Sequence, residues 1–276
     1  LENVIRRISA IYSDETITPE IVREQLAPPQ PQEAEAEKED DTLAQKVANH
    51  LDQYFGGYPG ALPPDGIYDR ILKEFEKPLV HTGEDSSISF TLDCNWKLAV
   101  ENYCESYHLP FVHPDLNSYS RLEDHYNILD ASGFAGQGTL VYQPQISANG
   151  RRFPHFEGLS SKWNAGAEYI AFFPNVLLGV HNDHAFAILL LPDGNGRTVE
   201  QVEIYYADEA VSGDEYAEMR ATNTAMWQTV FAEDVDVVEG MQRGRHASGY
   251  DGGKFSAVMD PPTHHFHSWV ASALST

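Results

Sequence analysis

The feature that most restricts the fold is a succession of apolar, β-branched runs separated by short turns and followed by one long helical segment. The runs GTLVYQPQI (138–146), AEYIAFF (167–173), NVLLGVH (175–181), AFAILLLP (185–192) and TVEQVEIYY (198–206) read as strands. Pro174-Asn175 and Asp193-Gly194-Asn195-Gly196 are turn signals between them. Connections this short cannot carry a parallel crossover, so the sheet is expected to be mainly antiparallel. SSISFTLDC (86–94) alternates like a further strand, and NWKLAVENYCESYH (95–108) then takes helical spacing. A long helix is expected from about residue 213 to 243, and a short one near 263–274. Strands gathered in one sheet with helices on a face make an α+β domain, here a curved antiparallel sheet with a long C-terminal helix.

Texture divides the chain at about residue 80. Residues 1–41 read as a short helical segment, with Pro19 suited to a first helical turn, running into the acidic, Pro- and Gln-rich linker APPQPQEAEAEKEDD. Residues 42–79 read as a helical and turn-rich connecting segment, and 80–276 as the main domain. The formal net charge of -24, from 42 acidic against 18 basic residues, argues against nucleic acid as a partner. No run approaches the apolar length of a membrane span, so no membrane association is expected. Two cysteines, Cys94 and Cys104, suit a reducing cytoplasm and exclude a four-thiolate centre within one chain.

Chemistry concentrates in ENYCESYHLPFVHPD (101–115). His108 and His113 are five apart, a weak motif by itself, but Pro110 and Pro114 disfavour helix at Leu109 and His113. The helix should break after His108 and swing His113 round on the next turn, so that two imidazoles converge. Before the break, Trp96, Val100, Tyr103 and Tyr107 form an apolar stripe, and Glu101, Glu105 and His108 a polar one beside Asn102. That polar stripe is equally readable as a solvated face with His108 as a plain helix-end residue. Far away, Met219, Met226, Val230, Val237 and Met241 form a stripe that contains Asp234, while Glu233 and Asp236 point elsewhere. A carboxylate in an apolar stripe needs a metal, a cation or several donors, and an arginine partner would serve as well. Two histidines and one carboxylate are the facial set that leaves positions open on iron(II), and zinc could take the same ligands.

The pattern N-W-K-x3-E-N-x2-E-x-Y-H-x4-H-P, Asn95 to Pro114, resembles the catalytic-domain motif of the Rieske-type non-haem iron oxygenases, the ring-hydroxylating oxygenase alpha subunits. E-D-x4-E-x2-Q-R-G, Glu233 to Gly244, looks like the segment that supplies their third ligand, and FSAVMDPPTHHFHSWVASAL resembles their C-terminal end. The E-x-Y-H form is most similar to the carnitine, choline and glycine betaine oxygenase branch. The resemblance covers about residues 80–276 and implies a helix-grip (Bet v 1/START-like) catalytic domain. It implies His108, His113 and Asp234 as ligands of Fe(II), Asn102 lining the site, and Glu105 linking it to a [2Fe–2S] Rieske cluster in a neighbouring subunit. It further implies O2 and a small organic substrate, aromatic or quaternary-ammonium-like, NAD(P)H electrons delivered through a reductase, and a homotrimer. The departure is that neither C-x-H nor C-x2-H occurs, so the cluster is expected from a truncated N-terminal domain or another chain.

Three function classes stay open at this level: the oxygenase, a non-catalytic helix-grip module for a hydrophobic ligand, and a zinc hydrolase on the same ligands. Of the remaining histidines, His181 and His184 sit at a strand end, where a spacing of three sends side chains to opposite faces and speaks against a metal. His264, His265 and His267 read as surface or oligomer contacts. Residues 117–135 read as a loop over the site.

Overall fold

The computed structural model describes residues 79–130, 133–144, 146–147, 150–157 and 161–275. All belong to the second of the chain's two compact units, Leu43–Thr276. The helices and linker expected before residue 79 lie outside the described residues.

Seven strands form one antiparallel sheet: β1 (Ser87–Leu92), β2 (His125–Asp130), β3 (Phe134–Thr139), β4 (Ala167–Phe172), β5 (Val176–Val180), β6 (His184–Pro192) and β7 (Thr198–Tyr206). Their order across the sheet is β1-β7-β6-β5-β4-β3-β2, so β1 and β2 are the edges and all neighbours except β1 and β7 are consecutive in sequence. Three short or medium helices follow β1 before β2: α1 (Trp96–Cys104), α2 (Leu109–Val112) and α3 (Pro114–Tyr119). The long α4 (Ala217–Arg245) and α5 (Pro261–Ala273) close the chain. The α+β architecture with a long late helix is as expected. The segment 117–135 is not a loop: it holds the end of α3, β2 and the start of β3, and the strand expected at 138–146 overlaps β3 only at residues 138 and 139.

The central strands read as continuous apolar runs because both faces are buried. Leu177, Phe186, Ile188, Leu190, Val202 and Ile204 pack against the helices, together with Leu98, Val100, Met219, Trp227, Phe231 and Phe266. The alternate residues Ile170, Phe172, Val176, Leu178 and Val180 form a second cluster on the other face. Gly179 has a specific task in the sheet: a Cβ there would lie 2.2 Å from the Phe186 ring, so only glycine leaves that ring its place.

The two helices that matter for function are stapled together at their ends. Asn95 caps α1 by accepting from the Lys97 N–H at 3.2 Å, and its own N–H donates to Gln242 on α4 at 2.8 Å. The Asp93 N–H donates to Glu239, also on α4, at 3.0 Å. Glu101 on α1 pairs with Arg245 at the end of α4, and His267 of α5 lies 3.0 Å from the same carboxylate. His267, expected as a surface or oligomer contact, is partly exposed and faces the buried Glu101 carboxylate.

Candidate metal centre

His108, His113 and Asp234 come together, with one ligand atom from each lying within 4.8 Å of the others. His113 Nε2 is 3.1 Å and His108 Nε2 3.8 Å from Asp234 Oδ1, and the two rings are 5.1 Å apart at 74°. Ligands held at about 2.1 Å on adjacent octahedral positions sit about 3.0 Å apart, so the spacing suits one small cation.

The local chain explains the convergence. α1 ends at Cys104, four residues earlier than expected, because Glu105 is extended (φ -121°, ψ 162°). Its carboxylate turns back to accept the N–H of Tyr107 at 2.7 Å and of His108 at 3.3 Å, which starts the next turn. His113 separates α2 from α3, outside the helical region (φ -119°, ψ 62°), as Pro114 at the first position of α3 requires. The polar stripe of α1 does not face water: Glu101, Asn102 and Glu105 are all buried.

Each histidine is backed by a carboxylate. His108 Nδ1 is 2.5 Å from Glu105 Oε1, and His113 Nδ1 is 2.7 Å from Glu233 Oε2. Ionised carboxylates only accept, so both Nδ1 atoms carry the proton and both Nε2 atoms turn toward Asp234. Asn102 completes the cluster, its amide donating to Asp234 Oδ1 at 2.8 Å. Behind Glu105, Gln137 donates to its backbone carbonyl at 2.9 Å, and His125 Nδ1 contacts the Gln137 amide oxygen at 2.7 Å. Burial opposes a charge on His113, yet the hydrogen bonds and charges of Asp234 and Glu233 hold its imidazole above the ordinary range. Glu200 on β7 is buried beside this cluster. Burial first, and the Asp234 charge second, push its carboxyl up to about 8.

Sequence reasoning missed three residues here. Glu233 does not point elsewhere but holds His113; the signal was chemical, since a metal-ligating histidine needs a partner for its second ring nitrogen. Trp227 and Phe231 were hidden by the stripe chosen for α4. The fully buried line is Met219, Asn223, Trp227, Phe231 and Val238, while Met226, Val230, Val237 and Met241 flank it with Asp234 at its edge. The resulting pocket, of about 60 Å³, is walled by Tyr103, Leu109, Leu116, Tyr169, Phe186, Trp227 and Phe231 around the two histidines and Asp234. His181 and His184 were misplaced too. The turn between β5 and β6 brings them onto one side, stacked at 4.3 Å and 10°.

Residues 79–276 match the sequence model of the ring hydroxylating alpha subunit (catalytic domain). Choline monooxygenase, chloroplastic, of Arabidopsis thaliana is 29% identical over 192 residues, 67% of this chain and 42% of that protein. Putrescine 2-hydroxylase of Ralstonia nicotianae is 28% identical over 195 residues, 64% of this chain and 50% of that protein. The chain therefore spans about half the length of these relatives. A separate similarity, 40% over 84 residues, is to the DNA-binding transcriptional regulator NtrC of Rhizobium meliloti; it covers 29% of this chain and 17% of the regulator. A crystal structure of the quaternary ammonium Rieske monooxygenase CntA shares the fold, with a TM-score of 0.55 at 18% identity over 85% of this chain and 56% of that one.

Proposed function

The chain belongs to the family of ring-hydroxylating alpha-subunit catalytic domains, and from that premise we propose that it is the oxygenating part of a Rieske-type system, with iron(II) held by His108, His113 and Asp234. One observation carries the ligand assignment. One nitrogen of each imidazole and one oxygen of Asp234 converge within 4.8 Å, with His113 Nε2 3.1 Å and His108 Nε2 3.8 Å from Asp234 Oδ1, the donor set and spacing that one small divalent cation takes. When bound there, iron supplies the activation of dioxygen, for which two electrons must come from outside the site.

The protein's own groups supply geometry. Asn102 fixes the Asp234 carboxylate, Glu233 and Glu105 fix the two ring orientations, and the aromatic wall excludes water. Glu105 bonds a ligand histidine on one side and lies at the end of α1. This supports it as the link to a Rieske cluster on a neighbouring subunit of a homotrimer, charged by NAD(P)H through a reductase.

The pocket's lining favours one substrate class. Walls of tryptophan, tyrosine and phenylalanine attract a cation, worth about 2 kcal/mol when desolvated. We therefore assign hydroxylation of an aliphatic carbon of a cationic amine, in keeping with relatives named for choline and putrescine. The test is incubation of the iron-loaded chain with a reduced Rieske protein and ¹⁸O₂, offering quaternary amines, diamines and arenes in parallel. One ¹⁸O atom in an amine product is expected. An arene diol without amine product would overturn the substrate assignment, and no incorporation into any of them would overturn the oxygenase.

A further inference from the structure

His184 opens β6 one side-chain layer behind the metal pocket and takes no part in the cluster just described. It is 1% exposed. Its Nδ1 lies 2.6 Å from Asp183 Oδ1, and the indole N–H of Trp227 donates to its Nε2 at 2.9 Å. An indole nitrogen can only donate, so His184 Nε2 holds a lone pair and the ring proton sits on Nδ1, given to Asp183. The tautomer follows from the two neighbours alone.

This chain of three residues runs from water to the metal pocket. Asp183 and His184 border a polar cavity of about 270 Å³. Trp227, buried on all sides, is a wall of the metal pocket, with Phe186 edge-on at 4.6 Å and Phe231 stacked at 5.6 Å. Its contacts with those rings are apolar, whereas the bond to His184 is the directional one. The indole is also the strongest cation-attracting ring in that wall.

We propose that His184, held in one tautomer by Asp183, is a positioning residue that sets the angle of Trp227 and thereby selects what group can sit beside the metal. The proposal rests on the reading of that pocket as the reaction site. Its test does not require turnover. The chain has four tryptophans, hence four indole N–H signals in a ¹H–¹⁵N spectrum of the intact iron-free protein, and Trp227→Phe identifies the relevant one. In the native chain this signal should lie downfield and exchange slowly with solvent. His184→Phe, which keeps a ring but no hydrogen bond, should move it upfield and speed its exchange. His184→Gln, whose carbonyl can accept from the indole, should restore part of the native position. Tetramethylammonium chloride, titrated against the same signal, should bind about tenfold more weakly to His184→Phe. Should that variant fail to fold, Asp183→Asn carries the same comparison, since its amide can donate to Nδ1 and move the ring proton to face the indole.

An indole signal unmoved in His184→Phe, or tetramethylammonium affinity unchanged in a variant whose indole signal has moved, overturns the proposal. A native protein that ignores tetramethylammonium while the indole signal shifts as expected tells against the cationic substrate and supports the positioning of Trp227.

Discussion

Among the described residues two histidine pairs stand ring to ring: His108 and His113 each have a carboxylate behind the ring, whereas in the pair of His181 and His184 the carboxylate, Asp183, stands behind His184. At 108 and 113 the rings stand at 74° and aim both Nε2 atoms at Asp234. At 181 and 184 the rings stack at 10°, which sends the lone pairs side by side and never to one point. The second pair's Nε2 atoms are also engaged: His184 accepts from Trp227, and His181 lies 3.3 Å from the Tyr169 hydroxyl. Residue types are therefore a poor guide to a metal site. What decides is whether the ring nitrogens converge on one point beside a carboxylate or lie side by side.

The sharpest way to break this comparison is to remove one side. Asp234→Ala should abolish iron retention while the circular dichroism spectrum survives, and His184→Phe should retain iron at the native level. Iron kept by the first variant, or lost by the second with its fold intact, would erase the distinction. Glu233→Gln comes next in size. Weakening the anchor of a ligand histidine costs about 10–100-fold in metal affinity, to be read by competition with a chelator. An affinity within twofold of the native chain would make Glu233 a bystander. Glu105→Gln should keep its iron yet slow the arrival of electrons from a reduced Rieske partner in a single turnover, and an unchanged rate would contradict the proposed link.

The smallest effect concerns Glu200, the buried carboxyl near the cluster. Its folded value, about 8, lies above that of the unfolded chain, so the folded protein holds this proton more tightly. The contribution is present at low pH and is lost as pH rises from about 4.5 toward 8. Glu200→Gln should therefore raise the melting temperature of the iron-free protein at pH 8 and leave it unchanged near pH 4.5. A gain of equal size at both values would contradict the burial of a neutral carboxyl there.

Much of the frame was legible because it obeys local rules. The alternation and length of the runs at 167–206 announced β4 to β7, and Pro114 announced the break at His113; Pro110 did not keep Leu109 out of a helix, since both open α2 and the chain turns at Glu105 instead. β2 was not legible: HYNILD has no clean alternation, and it is an edge strand whose pairing with β3 depends on tertiary placement. The α4 stripe was misjudged by one position because Met226 and Val230 are as apolar in sequence as Trp227 and Phe231, and only packing against Phe186 separates them. Glu105 stops α1 through side-chain bonds to the following N–H groups, an event that helix periodicity does not encode. The stacking of His181 on His184 arises in the hairpin turn, where the alternation of a strand no longer applies.

The central claim is that two imidazoles and one carboxylate from distant parts of the chain share a single iron. Iron K-edge X-ray absorption on the anaerobically loaded protein tests it most directly. The account predicts one iron per chain whose inner shell shows two imidazole rings at about 2.1 Å, with one ring's scattering lost in His113→Ala. A chain that takes up no iron, or an iron whose shell is unchanged in that variant, would contradict it.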